Sequence, residues 1–432
     1  MEVDDSMALQ ERRPGPSSVR DGGGGAGPDV HQPMLEAVRE LVRHGVEPAE
    51  RRLVRGEQLI LPHTVPDRWI SGRAPRGVLT SHRGQASIPA PGALDPHSVI
   101  VRSLDGRTLR PGVDYAVDDV WGTMGLLDAA TGGCEVDYAY SLLRIDSVVE
   151  SATGGLTIVE GQSHLTTPRR PANPDGARLV ATVFVPYFGD GRDAQVLLRR
   201  DAPRTVTVPQ QHLLASTSAR LRAGEEVRIV CWGDSVTAGG DATSDRASFP
   251  ALVEHGLRTS GADARVTTVA VGGSNSAQWL GRSEEARCHW SRVAEARPHL
   301  VIVEFVNDAE LDPKTWPGLY LDLKSRTKAI GAELLITTPH FTMASMMRFG
   351  HAVVDTDERP YTRFLRDFCH SEQIALADVS RRYEHLALEA VPYQTLLNNG
   401  INHPDDRGHA LAAEEILACM GRNTPRPEGD ES

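Results

Sequence analysis

From about residue 225 onward, short apolar runs alternate with stretches of helical length. The runs are Arg228–Trp232, Arg265–Val271, Leu300–Phe305, Glu333–Thr337 and Ile374–Val379. They are continuous in apolar residues rather than alternating, as strands covered on both faces require. Between them lie Phe249–Arg258, Asn275–Ala296, Trp316–Ile330 and Pro360–Ser371, each read as a helix, and a last helix runs from about Asp406 to Met420. Strands separated by helices need right-handed crossovers. The pattern therefore predicts about five parallel strands in a three-layer α/β/α domain over residues 221–425.

The first half of the chain has a different rhythm. Pro33 to His44 reads as a short amphipathic helix, with Leu35, Val38 and Val42 on one face and Gly45 just past the end. The rest of residues 33–80 has no clear period. Between 81 and 220 come short β-rich runs: Ser98–Arg102, Glu135–Tyr140, Leu156–Val159, Leu179–Val185 and Thr205–Val208. Turn signals such as Asp105-Gly106, Pro111-Gly112 and Gly154-Gly155 separate them. This predicts an all-β, sandwich or jelly-roll-like accessory domain. Its aromatics Tyr115, Trp121, Tyr138 and Tyr140 are read as core before they are read as a sugar-stacking surface. Residues 1–32, rich in Gly, Pro and Ser, and residues 426–432 are expected to be disordered tails.

Composition narrows the classes. At 432 residues the chain is too long for one ordinary core. A net charge of −12 argues against nucleic-acid or anionic-membrane partners, and no apolar run approaches the roughly 20 residues that span a bilayer. The first residues are acidic and lead into no apolar segment, so a cytoplasmic location is expected. The five cysteines are scattered, with no CxxC pair, which fits reduced thiols and no zinc site.

Chemistry gathers at the strand ends. The first ends in Gly233-Asp-Ser235, the second in Val271-Gly-Gly-Ser-Asn275, the third in Glu304-Phe-Val-Asn-Asp308 and the fourth in Thr337-Thr-Pro-His340. Near the C-terminus comes Asn398-Asn-Gly-Ile-Asn-His403-Pro-Asp405. Taken alone, Ser235 could simply cap the next helix. In a parallel sheet, however, these ends converge on one edge, where open α/β folds place their sites. Asp234 and Asp308 suit anchoring of their turns by backbone hydrogen bonds.

These blocks, in this order, resemble the SGNH (GDSL-type) serine hydrolases, over about residues 225–425. The resemblance implies a flavodoxin-like α/β/α hydrolase domain. It implies Ser235 as nucleophile, His403 as base, and an oxyanion hole made by the Ser235 and Gly273 amides and the Asn307 side chain. The chain departs from the family at Gly400, where an aspartate usually orients the histidine. Asn398, a backbone carbonyl or Asp405 are the candidates to replace it. Phe305 stands where the family has glycine. Asp234, Phe305, His340 and Trp279 are candidates for the substrate pocket, as are Trp316 and the segment Met343–Met347, although both tryptophans equally suit helix–sheet packing.

A metal set of His403, Asp405, Asp406 and His409 is weighed and set aside, His409 being read as structural or solvated; no cofactor is expected. The expected function is an esterase removing short, acetyl-like O-acyl groups from a carbohydrate-like or small-molecule substrate. An O-acyltransferase using the same acyl-serine and a non-catalytic binding protein on a degenerate hydrolase fold are the alternatives.

Overall fold

The computed structural model describes residues 32–61, 63, 77–78, 90–118, 122–127, 133–200, 207–281, 287–347, 354 and 356–422. Both expected tails apart from Gln32, half of the 205–208 run and Trp121 lie outside them. The chain divides into two units. The first comprises the chain to Gly45 and Arg51–Ser141; the second comprises Val46–Glu50 and everything from Leu142.

In the first unit, helix α1 (Gln32–Gly45) buries Val38 and Val42, two of the three residues read as its apolar face. Strands β1 (Arg51–Ile60), β3 (Leu94–Ser103) and β6 (Gly133–Ser141) form an antiparallel sheet in the order β1-β6-β3. β2 (Gly77–Val78), β4 (Tyr115–Asp118) and β5 (Thr123–Leu126) form another, ordered β2-β5-β4. β1 falls in a stretch that shows no period, because its residues are mostly exposed and little apolar pattern is needed. Tyr115, Tyr138 and Tyr140 are buried, so they are core and not a stacking surface.

The second unit begins earlier than the expected boundary near 220. β7 (Arg144–Glu150), β8 (Leu156–Val159), β9 (Arg178–Val185) and β10 (Gln195–Leu198) form an antiparallel sheet within it, ordered β10-β9-β7-β8. The buried Arg144 ties this sheet to the short segment at 46–50. It pairs with buried Asp146 at 2.8 Å and donates to the carbonyl oxygens of Glu47 and Pro48.

After helix α2 (Ala215–Ala223) comes the parallel sheet: β11 (Val227–Gly233), β12 (Ala264–Ala270), β13 (Leu300–Glu304), β14 (Glu333–Thr337) and β15 (Ala375–Ala377). The order is β12-β11-β13-β14-β15, all parallel. This is the 2-1-3-4-5 order of flavodoxin-like folds, with the switch point at the first strand. The period of two along β11 divides the core. Val227, Ile229 and Cys231 face α3 (Phe249–Thr259) and α10 (Asp406–Cys419), packing on Val253, Leu257 and Ile416. Val230 and Trp232 face the other layer, built on α6 (Trp316–Ala329) and α8 (Pro360–Glu372), with Tyr320 and Leu365.

The stretch read as one helix over Asn275–Ala296 is broken. It holds α4 (Ser276–Trp279), fixed by a reciprocal Asn275–Gln278 capping box, and α5 (Ser291–Glu295). Gly281, at φ 76, turns the chain out of the helix just after α4. Three helices went unpredicted: α2, α7 (Ala344–Met347) and α9 (Val379–Leu388).

Candidate active site

β11 stops at Gly233, and only glycine fits there. A Cβ would lie 2.0 Å from the Glu304 carbonyl oxygen and 2.1 Å from Thr237 Oγ1. Asp234 then makes the turn. Its Oδ1 accepts from the Val236 amide at 3.0 Å and its Oδ2 from the Asn307 amide at 3.2 Å. This holds the ends of β11 and β13 in register and leaves Ser235 on the rim. The loop closes on itself when the Gly240 amide donates to the Ser235 carbonyl at 2.8 Å.

His403 reaches the rim from the loop before α10. Asn399 organises that loop: its Oδ1 accepts from the amides of Ile401, Asn402 and His403 at 2.8, 2.9 and 3.0 Å. The Asn398 amide donates to the His403 carbonyl. The imidazole then sits between two partners. Nε2 is 2.9 Å from Ser235 Oγ, and Nδ1 is 2.8 Å from Asp241 Oδ2. A carboxylate accepts only, so Nδ1 carries the proton and Nε2 is left to accept from the serine.

Asp241 was not foreseen. The carboxylate on the ring comes from the Ser235 loop itself, not from the histidine loop. Asp241 adopts φ 61, a left-handed conformation that aspartate tolerates better than most residues. Gly239-Gly240 immediately before it was the available signal, since a glycine pair lets an acid fold back on its own turn. Neither expected orienter holds the ring. Asn398 donates its side-chain amide to the Asp241 carbonyl at 2.9 Å, and Asp405 caps α10 by accepting from the Gly408 amide. Gly400, where the family's aspartate was looked for, is itself at φ 70 in the tight turn before His403.

Among the described residues, the Ser235 and Gly273 amides meet no backbone acceptor. A Cβ on Gly272 would stand 3.6 Å from Ser235 Cβ, so the glycine loop runs against the nucleophile. Asn307 donates one Nδ2 hydrogen to the Ser274 carbonyl at 3.0 Å, which aims the amide and leaves its second hydrogen for another acceptor.

Three carboxyl groups lie buried beneath this rim: Asp234, Glu304 and Asp308. Burial, and then the charge of Glu304, raises Asp234 well above the ordinary range. Burial pushes Glu304 up to about 7 and Asp308 up to about 6. Glu304 accepts from Thr237 Oγ1 at 2.8 Å. Asp308 accepts from the Ser276 amide at 2.8 Å and from the Tyr320 hydroxyl at 3.0 Å. Asp234 and Asp308 thus anchor turns, as expected of them.

Four of the residues expected at a substrate pocket lie inside the fold. Asp234, Trp279, Phe305 and His340 are all buried. Phe305 packs edge-on against Trp232 at 5.2 Å, so it fills core and does not narrow an acyl site. Trp279 donates to Ser274 Oγ and Trp316 to the Asp308 carbonyl. His340 Nε2 donates to the Asn402 carbonyl at 2.8 Å. The residues weighed as a metal set have separate tasks. Asp406 accepts from the Thr243 amide and hydroxyl, and His409 is buried between α3 and the nucleophile loop. Cys231 is a buried thiol whose pKa burial raises, which makes it inert.

No curated protein matches the chain. Among solved structures, a two-domain esterase (CEX) active on acetylated mannans has a TM-score of 0.39 at 18% identity, covering 50% of this chain and 54% of that one. The chain therefore spans about half the length of that esterase. TesA has a TM-score of 0.36 at 20% identity, covering 45% of this chain and 97% of its own. A variant of Axe2, an acetylxylan esterase from Geobacillus stearothermophilus, has a TM-score of 0.37 at 16% identity, covering 46% and 97%. Residues 231–411 match the GDSL-like Lipase/Acylhydrolase family. That span contains the Ser235 turn, the glycine and asparagine blocks and His403, and it is this part of the chain that is similar to the GDSL-like lipases and acylhydrolases.

Proposed function

We propose that the protein hydrolyses short O-acyl esters of a carbohydrate-like or small alcohol through an acyl-Ser235 intermediate. One observation carries this reading: the hydrogen-bonded chain Ser235 Oγ, His403, Asp241, at 2.9 and 2.8 Å. A serine hydroxyl needs such a base to act as a nucleophile. In the first step Ser235 Oγ bonds to the ester carbon and its proton passes to His403 Nε2. The carbonyl electrons move to the oxygen, which the Ser235 and Gly273 amides and Asn307 Nδ2 receive. The intermediate collapses, the C–O bond to the alcohol breaks, and His403 returns the proton to the leaving oxygen. Water then repeats the sequence on the acyl-serine and releases the acid. Asp241 stabilises the imidazolium and holds its tautomer throughout.

The short acyl group follows the sequence reading. The small cavity lined by Val236, Glu304, His340 and His409 among others, about 20 Å³, has room for a single water and is not lined by Ser235.

The test is fluorophosphonate labelling read by intact mass, followed by hydrolysis of p-nitrophenyl esters of increasing length and of acetylated sugars. Wild type should label once and prefer acetyl. Ser235→Ala and His403→Ala should lose labelling and about 10⁴-fold or more in kcat. A folded wild type that neither labels nor hydrolyses any ester would sink the proposal.

A further inference from the structure

Two buried histidines outside the reacting chain share one geometry. His409 is fully buried and its Nε2 lies 3.3 Å from the Gly240 carbonyl oxygen, while its Nδ1 accepts from the Phe249 amide at 3.3 Å. His340 is 5% exposed and its Nε2 lies 2.8 Å from the Asn402 carbonyl oxygen. A carbonyl only accepts, so both rings carry the proton on Nε2 and donate it. Gly240 immediately precedes Asp241, and Asn402 immediately precedes His403. Each buried ring therefore holds the peptide next to one member of the proposed acid–base pair.

We infer that His409 and His340 are positioning residues for the ester hydrolysis proposed above, His409 setting Asp241 and His340 setting His403. The inference rests on the acyl-serine reading. Burial is the main force lowering both pKa values, His340 to about 3 and His409 to about 4, so each ring stays neutral and keeps its tautomer under ordinary conditions. Both line the same small cavity beside Val236 and Glu304. Neighbouring bonds work in the same direction. Asn398 holds the Asp241 carbonyl, and Asp406 holds Thr243 just beyond it. A misplacement of the order of 1 Å at a reacting group costs up to about a hundredfold in rate.

The experiment uses the full chain with p-nitrophenyl acetate. His409→Phe keeps a flat ring against Phe249 and removes the donor; His340→Phe does the same at Asn402. Each should lower kcat by about ten- to a hundredfold with KM unchanged, and slow fluorophosphonate labelling equally. His409→Gln and His340→Gln, whose amides can still donate, should recover most of the loss. In an Asp241→Asn background the His409→Phe effect should disappear, because the acid it sets is gone, while the His340→Phe effect should persist. Full kcat in both Phe variants would overturn the inference, as would a His409→Phe loss that is strictly additive with that of Asp241→Asn. Wild type that fails to label would instead remove the acyl-serine reading on which it stands. Should the Phe variants not fold, selective ¹⁵N-histidine NMR of wild type decides. Two neutral Nε2–H rings between pH 5 and 8 support the inference, and Nδ1–H rings overturn it.

Discussion

Carboxyl groups serve two regions of the hydrolase domain in opposite ways. At the rim, Asp241 keeps 11% of its side chain exposed and faces an imidazole. Just beneath it, Asp234, Glu304 and Asp308 are closed off from solvent, and burial drives their pKa values up. The same residue type acts as a charged partner in one place and as an anchor drawn toward neutrality in the other. Solvent access and the nature of the partner make the difference. The lesson is that an acid near a catalytic serine is not thereby catalytic. Its partners must be read first.

The largest effect expected from breaking this contrast is at the rim. Asp241→Asn keeps the shape but lets the amide favour the wrong imidazole tautomer. A fall of about 10³–10⁴ in kcat is expected, with little change in melting temperature, measured by ester hydrolysis and thermal unfolding. A loss below tenfold would remove Asp241 from the proposed mechanism. Beneath the rim the outcome should reverse. Asp234→Ala strands the buried Val236 and Asn307 amides, so unfolding free energy should fall by about 1–3 kcal/mol for each, read by chemical denaturation. Activity per folded molecule would fall as well, because the Ser235 turn loosens. A variant of unchanged stability would refute the anchoring role.

Gly240→Ala tests the seam between the regions. Its Cβ would lie 3.1 Å from both Cε1 and Nδ1 of His403 and 2.8 Å from the Ser235 carbonyl. The ring must shift by a few tenths of an ångström, and a loss of about ten- to a hundredfold in kcat is expected. An unperturbed kcat would mean that the imbalance is absorbed by the loop.

The smallest effect lies in pH dependence. A carboxyl whose folded pKa lies above its unfolded value keeps a proton that the unfolded chain releases. For Glu304 that window runs from the ordinary 4.5 to about 7. Its contribution to stability is therefore greatest below the window and declines as pH rises through it. Glu304→Gln should flatten the fall in melting temperature between pH 5 and pH 8. An identical pH slope in both proteins would argue that Glu304 is ionised in the folded state.

Much of the domain was legible in the sequence because its strands are buried on both faces. Leu300–Glu304 reads as apolar in any window, and a polar block after such a run marks a strand end without further information. Ser235, Gly273, Asn307 and His403 were singled out this way. Asp241 was not, because it lies in a turn whose path no periodicity describes, and because a local fold-back competes with a more distant carboxylate on equal terms. The break at Gly281 was hidden by Trp279, Leu280 and Val293, which sit at helical spacing across it. The boundary at Ser141 was hidden for another reason. Antiparallel strands on its two sides have the same alternation, and which strand pairs with which is decided by partners far away in the chain.

The position of Asp241 changes how the active centre is jointed. When nucleophile and acid ride on one closed loop, their spacing is set by a single stretch of backbone and travels with it. Within the chain Ser235, His403, Asp241 there is then one articulation, the contact between this loop and the loop that bears His403. A shift of the histidine loop against it alters both imidazole bonds at once.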